Sequence, residues 1–210
     1  MTMHVELPPI LDVRRAGVGP VVAQAAAVLQ AGGLVVIPTD TVYGLAAHPG
    51  HPAAVARLFA LKGREAGKPI PLLIGDTAAA FAFGAEWTPQ AASLAANFWP
   101  GALTLVLPMR GTPDTEEGFR VPDCAFTRTL LRAVGGILRV TSANASGEAD
   151  SLTAPAAAAA LGPGVDLVVD DGTAPGGRPS TVARLRDNTL TILRESALSA
   201  TTLRASIAQG

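Results

Sequence analysis

The chain has 210 residues, 49% hydrophobic and 16% charged, with a formal net charge of −1. That hydrophobicity with almost no net charge excludes a disordered chain, and the single cysteine, Cys124, excludes an internal disulfide framework or a cysteine-built zinc site. Near-neutrality argues against a surface that wraps nucleic acid as a whole, while leaving room for a local basic cleft.

Residues 1–15 show no basic stretch followed by an apolar run, so no secretory signal is expected. Residues 19–31 read as a helix, with Val21, Val22, Ala25, Val28 and Leu29 at helical spacing and Gly32-Gly33 to stop it. A buried strand is expected over 34–38, a helix over 51–61, a strand over 71–74 and a helix over 89–98. Strand 103–107 follows, bounded by Gly101 and Pro108. The polar stretch 111–117 reads as a mobile loop and a candidate to close over a site. Then come helix 126–133, strand 137–141, helix 155–161 and strand 167–170. Strands 182–185 and 190–193 flank Asp187-Asn188 as a hairpin, and 201–207 is a last helix. The apolar stretches all break before the ~18 residues of a membrane span. A cytoplasmic protein without membrane contact is expected.

Helices and strands alternate, but a hairpin is inserted. The expected fold is therefore α/β: a single-domain, twisted, open mixed sheet with helices packed on it, spanning 1–210 with no linker.

Common nucleotide signatures fail. Gly63 to Lys68 resembles a phosphate-binding loop, but the glycine spacing is one residue short, and Pro69 stands where a hydroxyl is needed. Gly17-Val18-Gly19 has Val22 where a third glycine belongs. There is no Gly-x-Ser-x-Gly elbow, and His4, His48 and His51 are not at zincin spacing.

Four polar groups remain. Thr39-Asp40-Thr41-Val42-Tyr43-Gly44 leaves the end of an apolar strand, where open α/β sheets place ligand contacts; the alternative is a self-satisfied turn. Arg57, Lys62, Arg64 and Lys68 face only Glu65. Such cations grip polyphosphates, or else cap a helix end. Ser142-Ala143-Asn144-Ala145-Ser146-Gly147 follows another strand and suits close backbone approach to an anion, or an N-cap. Gly176-Gly177-Arg178-Pro179-Ser180-Thr181 precedes the hairpin, whose second strand ends in Arg194; alone it reads as a turn. No side chain looks like an activated nucleophile. An enzyme made of these parts would position substrates and neutralise phosphate charge.

In order, Ile37-Pro38-Thr39-Asp40-Thr41-Val42-Tyr43-Gly44-Leu45, Leu61-Lys62-Gly63-Arg64, Phe98-Trp99-Pro100-Gly101-Ala102-Leu103-Thr104, Ser142-Ala143-Asn144-Ala145-Ser146-Gly147, and Ser180-Thr181-Val182 with Ile192-Leu193-Arg194 strongly resemble the YrdC/TsaC family of threonylcarbamoyl-AMP synthases. The resemblance runs from about residue 15 to 200 and is to the short, single-domain form. It implies a YrdC-like sheet with a concave basic cleft. It also implies a reaction in which L-threonine, bicarbonate or CO2, and ATP give L-threonylcarbamoyladenylate and pyrophosphate. The product would pass to a separate transferase complex that modifies tRNA. By the same resemblance Lys62 and Arg64 are catalytic, and Lys62, Arg64, Lys68, Asn144 and Arg194 hold ATP. Thr39 or Thr41, Arg120, Ser142 and Ser180 hold threonine. Mg²⁺ is implied through the phosphates, with no metal site of the chain's own. The sequence departs from the family pattern at Glu65, Leu73 and Glu148. Two other readings are a module that binds double-stranded RNA or tRNA, and a carbamoyl-adenylating maturation factor; a weak affinity for tRNA is compatible with the first.

Overall fold

The computed structural model describes residues 7–63, 69–145 and 147–207. In chain order the elements are β1 (Ile10–Asp12), α1 (Val13–Ala16), α2 (Val18–Gln30), β2 (Val35–Ile37), β3 (Gly44–Ala47), α3 (Pro52–Leu61), β4 (Leu72–Ile74), α4 (Thr77–Phe83), α5 (Pro89–Phe98) and β5 (Leu103–Met109). They continue with β6 (Thr112–Arg120), α6 (Ala125–Ala133), β7 (Ile137–Ser142), α7 (Ala154–Leu161), β8 (Leu167–Asp170), β9 (Thr181–Arg186), β10 (Thr189–Arg194) and α8 (Ala200–Ile207).

Helix starts follow local chemistry. Thr88 accepts from Ala91 N ahead of Pro89, Thr153 accepts from Ala156 N ahead of Pro155, and Asp76 accepts from Ala79 N. Gly84 ends α4 at φ 110°, where a side chain would be strained. In the β9–β10 hairpin Asp187 and Asn188 adopt φ of 49° and 58°, which matches the strand twist.

All ten strands join one mixed sheet in the order β1-β8-β2-β3-β7-β4-β6-β5-β9-β10. β1/β8, β2/β8, β4/β6 and β5/β9 are parallel; the other pairs are antiparallel. Alternation along the strands divides the core. Val36 and Leu45 face α3 and α7, while Leu72, Leu105 and Phe119 face α4, α5 and α8 on the same side. Val35, Ile37, Leu138 and Val140 face α2 and α6 on the other side. Here the cover is incomplete: α2 and α6 extend only over the first half of the sheet. Among the described residues, no helix lies on the face beyond β4 made by Glu116 and Gly118 of β6, Val106 of β5 and Val182 and Arg184 of β9. A step in the helical layer therefore exposes strand ends and creates the hollow described next.

One expectation is corrected. Residues 111–117 are not a loop: from Thr112 onward they belong to β6, the longest strand. Their polarity misled because the bare face needs no apolar side chains. Glu116 pairs instead with Arg184 at 2.8 Å, and Asp114 lies 3.9 Å from Arg186, both on β9. Four further elements, β1, α1, β3 and α4, were not expected from the sequence; all are short.

Candidate functional site

The hollow lies where the turn after β2, the end of β7 and the entry to β9 meet across β4 and β6. Thr39, Thr41, Arg120, Ser142, Ser180 and Arg194 all line it.

The turn after β2 is fixed from several sides. Thr127 of α6, fully buried, donates to Pro38 O at 2.5 Å. Thr39 Oγ1 donates to Val42 O at 2.5 Å and lies 3.0 Å from Thr41 Oγ1. Tyr43 N donates to Ser151 O, and Tyr43 O accepts from Ala143 N, lacing this turn to the one after β7. The phenol of Tyr43, buried in the core, donates to Gly172 O at 2.5 Å and accepts from Asp171 N at 3.3 Å. Burial pushes its pKa up to about 12.

Arg120 is the charge at the centre. It donates Nε to Gly101 O at 2.9 Å, Nη1 to Thr41 Oγ1 at 2.9 Å, and Nη2 to Asp40 Oδ1 at 2.6 Å. Burial alone pulls its pKa down, and Asp40 opposes that. Of the guanidinium's five donors these bonds use three, leaving two N–H groups for a ligand. On the opposite wall, Ser180 Oγ lies 2.8 Å from Thr104 Oγ1, and Ser180 O accepts from Arg194 Nη2 at 2.8 Å.

Lys62 sits behind the hollow, 3% exposed. Its ammonium donates to Ser142 O at 2.8 Å, Asn144 O at 2.5 Å and Asn144 Oδ1 at 2.6 Å. Ser142 Oγ donates to the same Asn144 Oδ1 at 2.6 Å, and Asn144 Nδ2 to Glu148 O at 2.6 Å. Lys62 thus buckles the Ser142–Asn144 turn to the end of α3. Arg64 and Lys68, as well as Ser146 of the same motif, lie outside the described residues.

Sequence reading missed two partners. Asp40 was part of a noted motif, yet only the fold reveals that it neutralises Arg120. Thr104 holds Ser180, and its sole signal was its place in the Trp-Pro-Gly-Ala-Leu-Thr run. Cys124 is partly buried against the α2–α6 core, and burial pushes its thiol pKa up, as suits an inert side chain. Among the described residues no group of three His, Cys, Asp or Glu is placed to hold a metal ion, and none has a helix long and apolar enough to cross a membrane.

The Sua5/YciO/YrdC family profile, described as "Telomere recombination", matches residues 27–196. The chain belongs to this family. A threonylcarbamoyl-AMP synthase of Bacillus subtilis is 33% identical over 196 residues, 90% of this chain and 57% of the relative. One of Mus musculus is 36% identical over 165 residues, covering 75% of this chain and 58% of the relative. The chain thus spans less than two thirds of these relatives. A Chromohalobacter salexigens synthase, 36% identical over 173 residues, is covered to 92% of its length. P. abyssi Sua5 complexed with L-threonine superposes with a TM-score of 0.85 at 28% identity, covering 96% of this chain and 61% of that one. E. coli YciO, at TM-score 0.81 and 23% identity, covers 94% of this chain and 100% of its own and shares the fold.

Proposed function

We propose that the chain is a threonylcarbamoyl-AMP synthase, which joins L-threonine, bicarbonate or CO2, and ATP into L-threonylcarbamoyladenylate and releases pyrophosphate. The observation that carries this reading is the placement of Arg120. A buried guanidinium, held on three sides, turns into a hollow lined by the hydroxyl-bearing residues Thr39, Thr41, Thr104, Thr141, Ser142 and Ser180, with Tyr43 beside them. That set matches a small hydroxy amino acid: the guanidinium takes the carboxylate, and the hydroxyls take the amine and side-chain hydroxyl. The likeness to relatives named as such synthases supports the same reading.

The chemistry needs an unprotonated amine to add to CO2. A carbamate oxygen then attacks the α-phosphorus, and pyrophosphate leaves. Negative charge grows on the phosphates, and Arg194 stands at the mouth of the hollow to meet it. Lys62 acts by holding the Ser142–Asn144 turn, so that Ser142 and the main chain keep their aim. Arg64 and Lys68 are assigned to the phosphates by resemblance. No carboxylate lines the hollow among the described residues, so Mg²⁺ would arrive on the phosphate oxygens of ATP and supply charge neutralisation there. The adenylate would then be passed to a separate transferase complex acting on tRNA.

The test is to incubate the purified chain with ATP, L-threonine and bicarbonate, following pyrophosphate and the mass of the adenylate. Threonine-dependent formation of both is expected. Pyrophosphate release that ignores threonine, or none at all, overturns the reading.

A further inference from the structure

Ser180 and Thr181 enter β9 side by side with their side chains on opposite faces of the sheet. Ser180 faces the hollow. Thr181 is fully buried in the helical layer, in step with Ala183, which packs with α5 and α8. The main chain of Thr181 is held without help from its hydroxyl. Thr181 N donates to Ala102 O at 2.9 Å, and Thr181 pairs with Leu103 in the parallel ladder of β5 and β9.

The hydroxyl serves a different segment. β10 ends at Arg194, opposite Val182. Beyond it the chain turns toward the helical layer, where Leu198 and Leu203 pack beside α5. Thr181 Oγ1 donates to Leu198 O at 2.7 Å and accepts from Leu198 N at 2.9 Å and from Ser196 N at 3.1 Å. A hydroxyl has one donor and two acceptor positions, and all three are taken. Three main-chain groups of one turn thus converge on a single buried oxygen. Across the sheet, Arg194 donates Nε at 3.2 Å and Nη2 at 2.8 Å to Ser180 O. Arg194 is therefore set by two consecutive residues. Its guanidinium rests on the carbonyl of Ser180, and its stem springs from main chain that Thr181 ties down two residues later.

We propose that Thr181 is a positioning residue for the reaction. It lies on the far face from the hollow and acts through Arg194: its hydroxyl fixes residues 196–198, and that turn holds the stem of Arg194 so that the guanidinium meets the phosphates at the mouth of the hollow. Helix α8 is anchored by the same knot. The proposal rests on the ATP-dependent reading above, which gives Arg194 its role.

The test is Thr181→Val, which fills the same space without the hydroxyl, with Thr181→Ser as the partner that keeps it. KM for ATP and for threonine are measured on the full chain. ATP affinity is titrated in the wild type and in Arg194→Ala, each with and without Thr181→Val. Expected in Thr181→Val is a rise of about tenfold or more in KM for ATP, as for a small misplacement of a charged group. KM for threonine stays within about twofold, because the main chain of Thr181 keeps Ser180 in place. Thr181→Ser restores the ATP value. In the Arg194→Ala background, Thr181→Val weakens ATP binding by less than about twofold, since the residue it acts through is gone. Should Thr181→Val not fold, Thr181→Cys carries the same expectations, its thiol bonding only weakly. An unchanged KM for ATP, an equal rise for both substrates, no restoration by Thr181→Ser, or a full-sized effect in Arg194→Ala overturns the proposal. A wild type that forms no adenylate from ATP and threonine overturns the parent reading, whereas a wild type that forms it beside an unaltered Thr181→Val overturns the tether alone.

Discussion

The carboxylate of Asp40 and the guanidinium of Arg120, eighty residues apart in the chain, meet at 2.6 Å with side chains only 12% and 7% exposed. Each neutralises a charge that the fold has taken out of water. The pair also aims the remaining donors of Arg120 into the hollow. Removing one partner leaves the other buried and uncompensated, which costs about 3–5 kcal/mol. Asp40→Asn should therefore lower the denaturant midpoint and raise KM for threonine. Arg120→Lys should be worse for activity than for stability, because an ammonium cannot bridge Gly101 O, Thr41 Oγ1 and Asp40 at once. Urea unfolding set beside threonine titrations checks both. An Asp40→Asn protein as stable as the wild type contradicts the assignment.

Lys62 Nζ donates to three oxygens at 2.5–2.8 Å, a convergence that suits the compact ammonium. Lys62→Met should leave the carbonyls of Ser142 and Asn144 short of donors, at about 1–3 kcal/mol for each one left unsatisfied. Adenylate formation should drop by about 100-fold or more as the turn loses its aim. Lys62→Arg should not rescue it, since a forked guanidinium cannot converge on three oxygens. Pyrophosphate release at saturating ATP and threonine is the measurement.

Helix α5 was legible to the residue because Pro89 starts it and the Trp-Pro pair ends it. Strand β8 was legible because a short apolar run is bounded by polar residues. Strand β6 was not: its outward residues meet charged partners on β9, a pairing that local pattern cannot reveal. Thr39, Thr41, Ser142, Ser180 and Arg194 lie in sequence motifs, Arg120 is implied by the resemblance alone, and all six line one hollow. What stayed hidden was which partner each one takes. For Lys62, expected at the phosphates of ATP, the fold adds contacts that local pattern cannot reveal, to the carbonyls of Ser142 and Asn144 some eighty residues away.

Tyr43 is the chain's only tyrosine, so its ionisation can be followed without interference from another phenol. Its folded pKa, about 12, lies above the ordinary value of 10.0. Below pH 10 neither folded nor unfolded phenol ionises, and the contribution to stability is full. Between pH 10 and about 12 the unfolded chain loses the proton first, so stability falls by about 2–3 kcal/mol as pH rises through that window. Absorbance near 295 nm should show a late titration that shifts down on unfolding. Tyr43→Phe should be less stable at pH 8, having lost its bonds to Gly172 O and Asp171 N, but should lack the alkaline decline. A wild-type phenol titrating near 10 in the folded state would contradict this.

Gly176 holds the segment leading to Ser180 against the turn after β2. A Cβ at Gly176 would lie 2.6 Å from Asp40 O and 2.9 Å from Thr41 Cα, both main-chain atoms that cannot swing aside. Its φ is outside the left-handed region, so alanine is unstrained there and the demand is purely one of space. Gly176→Ala should push residues 174–180 away from Thr41, separating Ser180 from the hydroxyls it faces. Because Gly176 is exposed on its outer side, the change should lower the melting temperature only slightly. The threonine KM should rise by about tenfold or more, as expected for a small misplacement of a substrate wall. Arg178→Ala, exposed and two residues on, should leave that KM unchanged. Should Gly176→Ala keep the wild-type KM for threonine, the wall formed by Pro179 and Ser180 is not set by this contact.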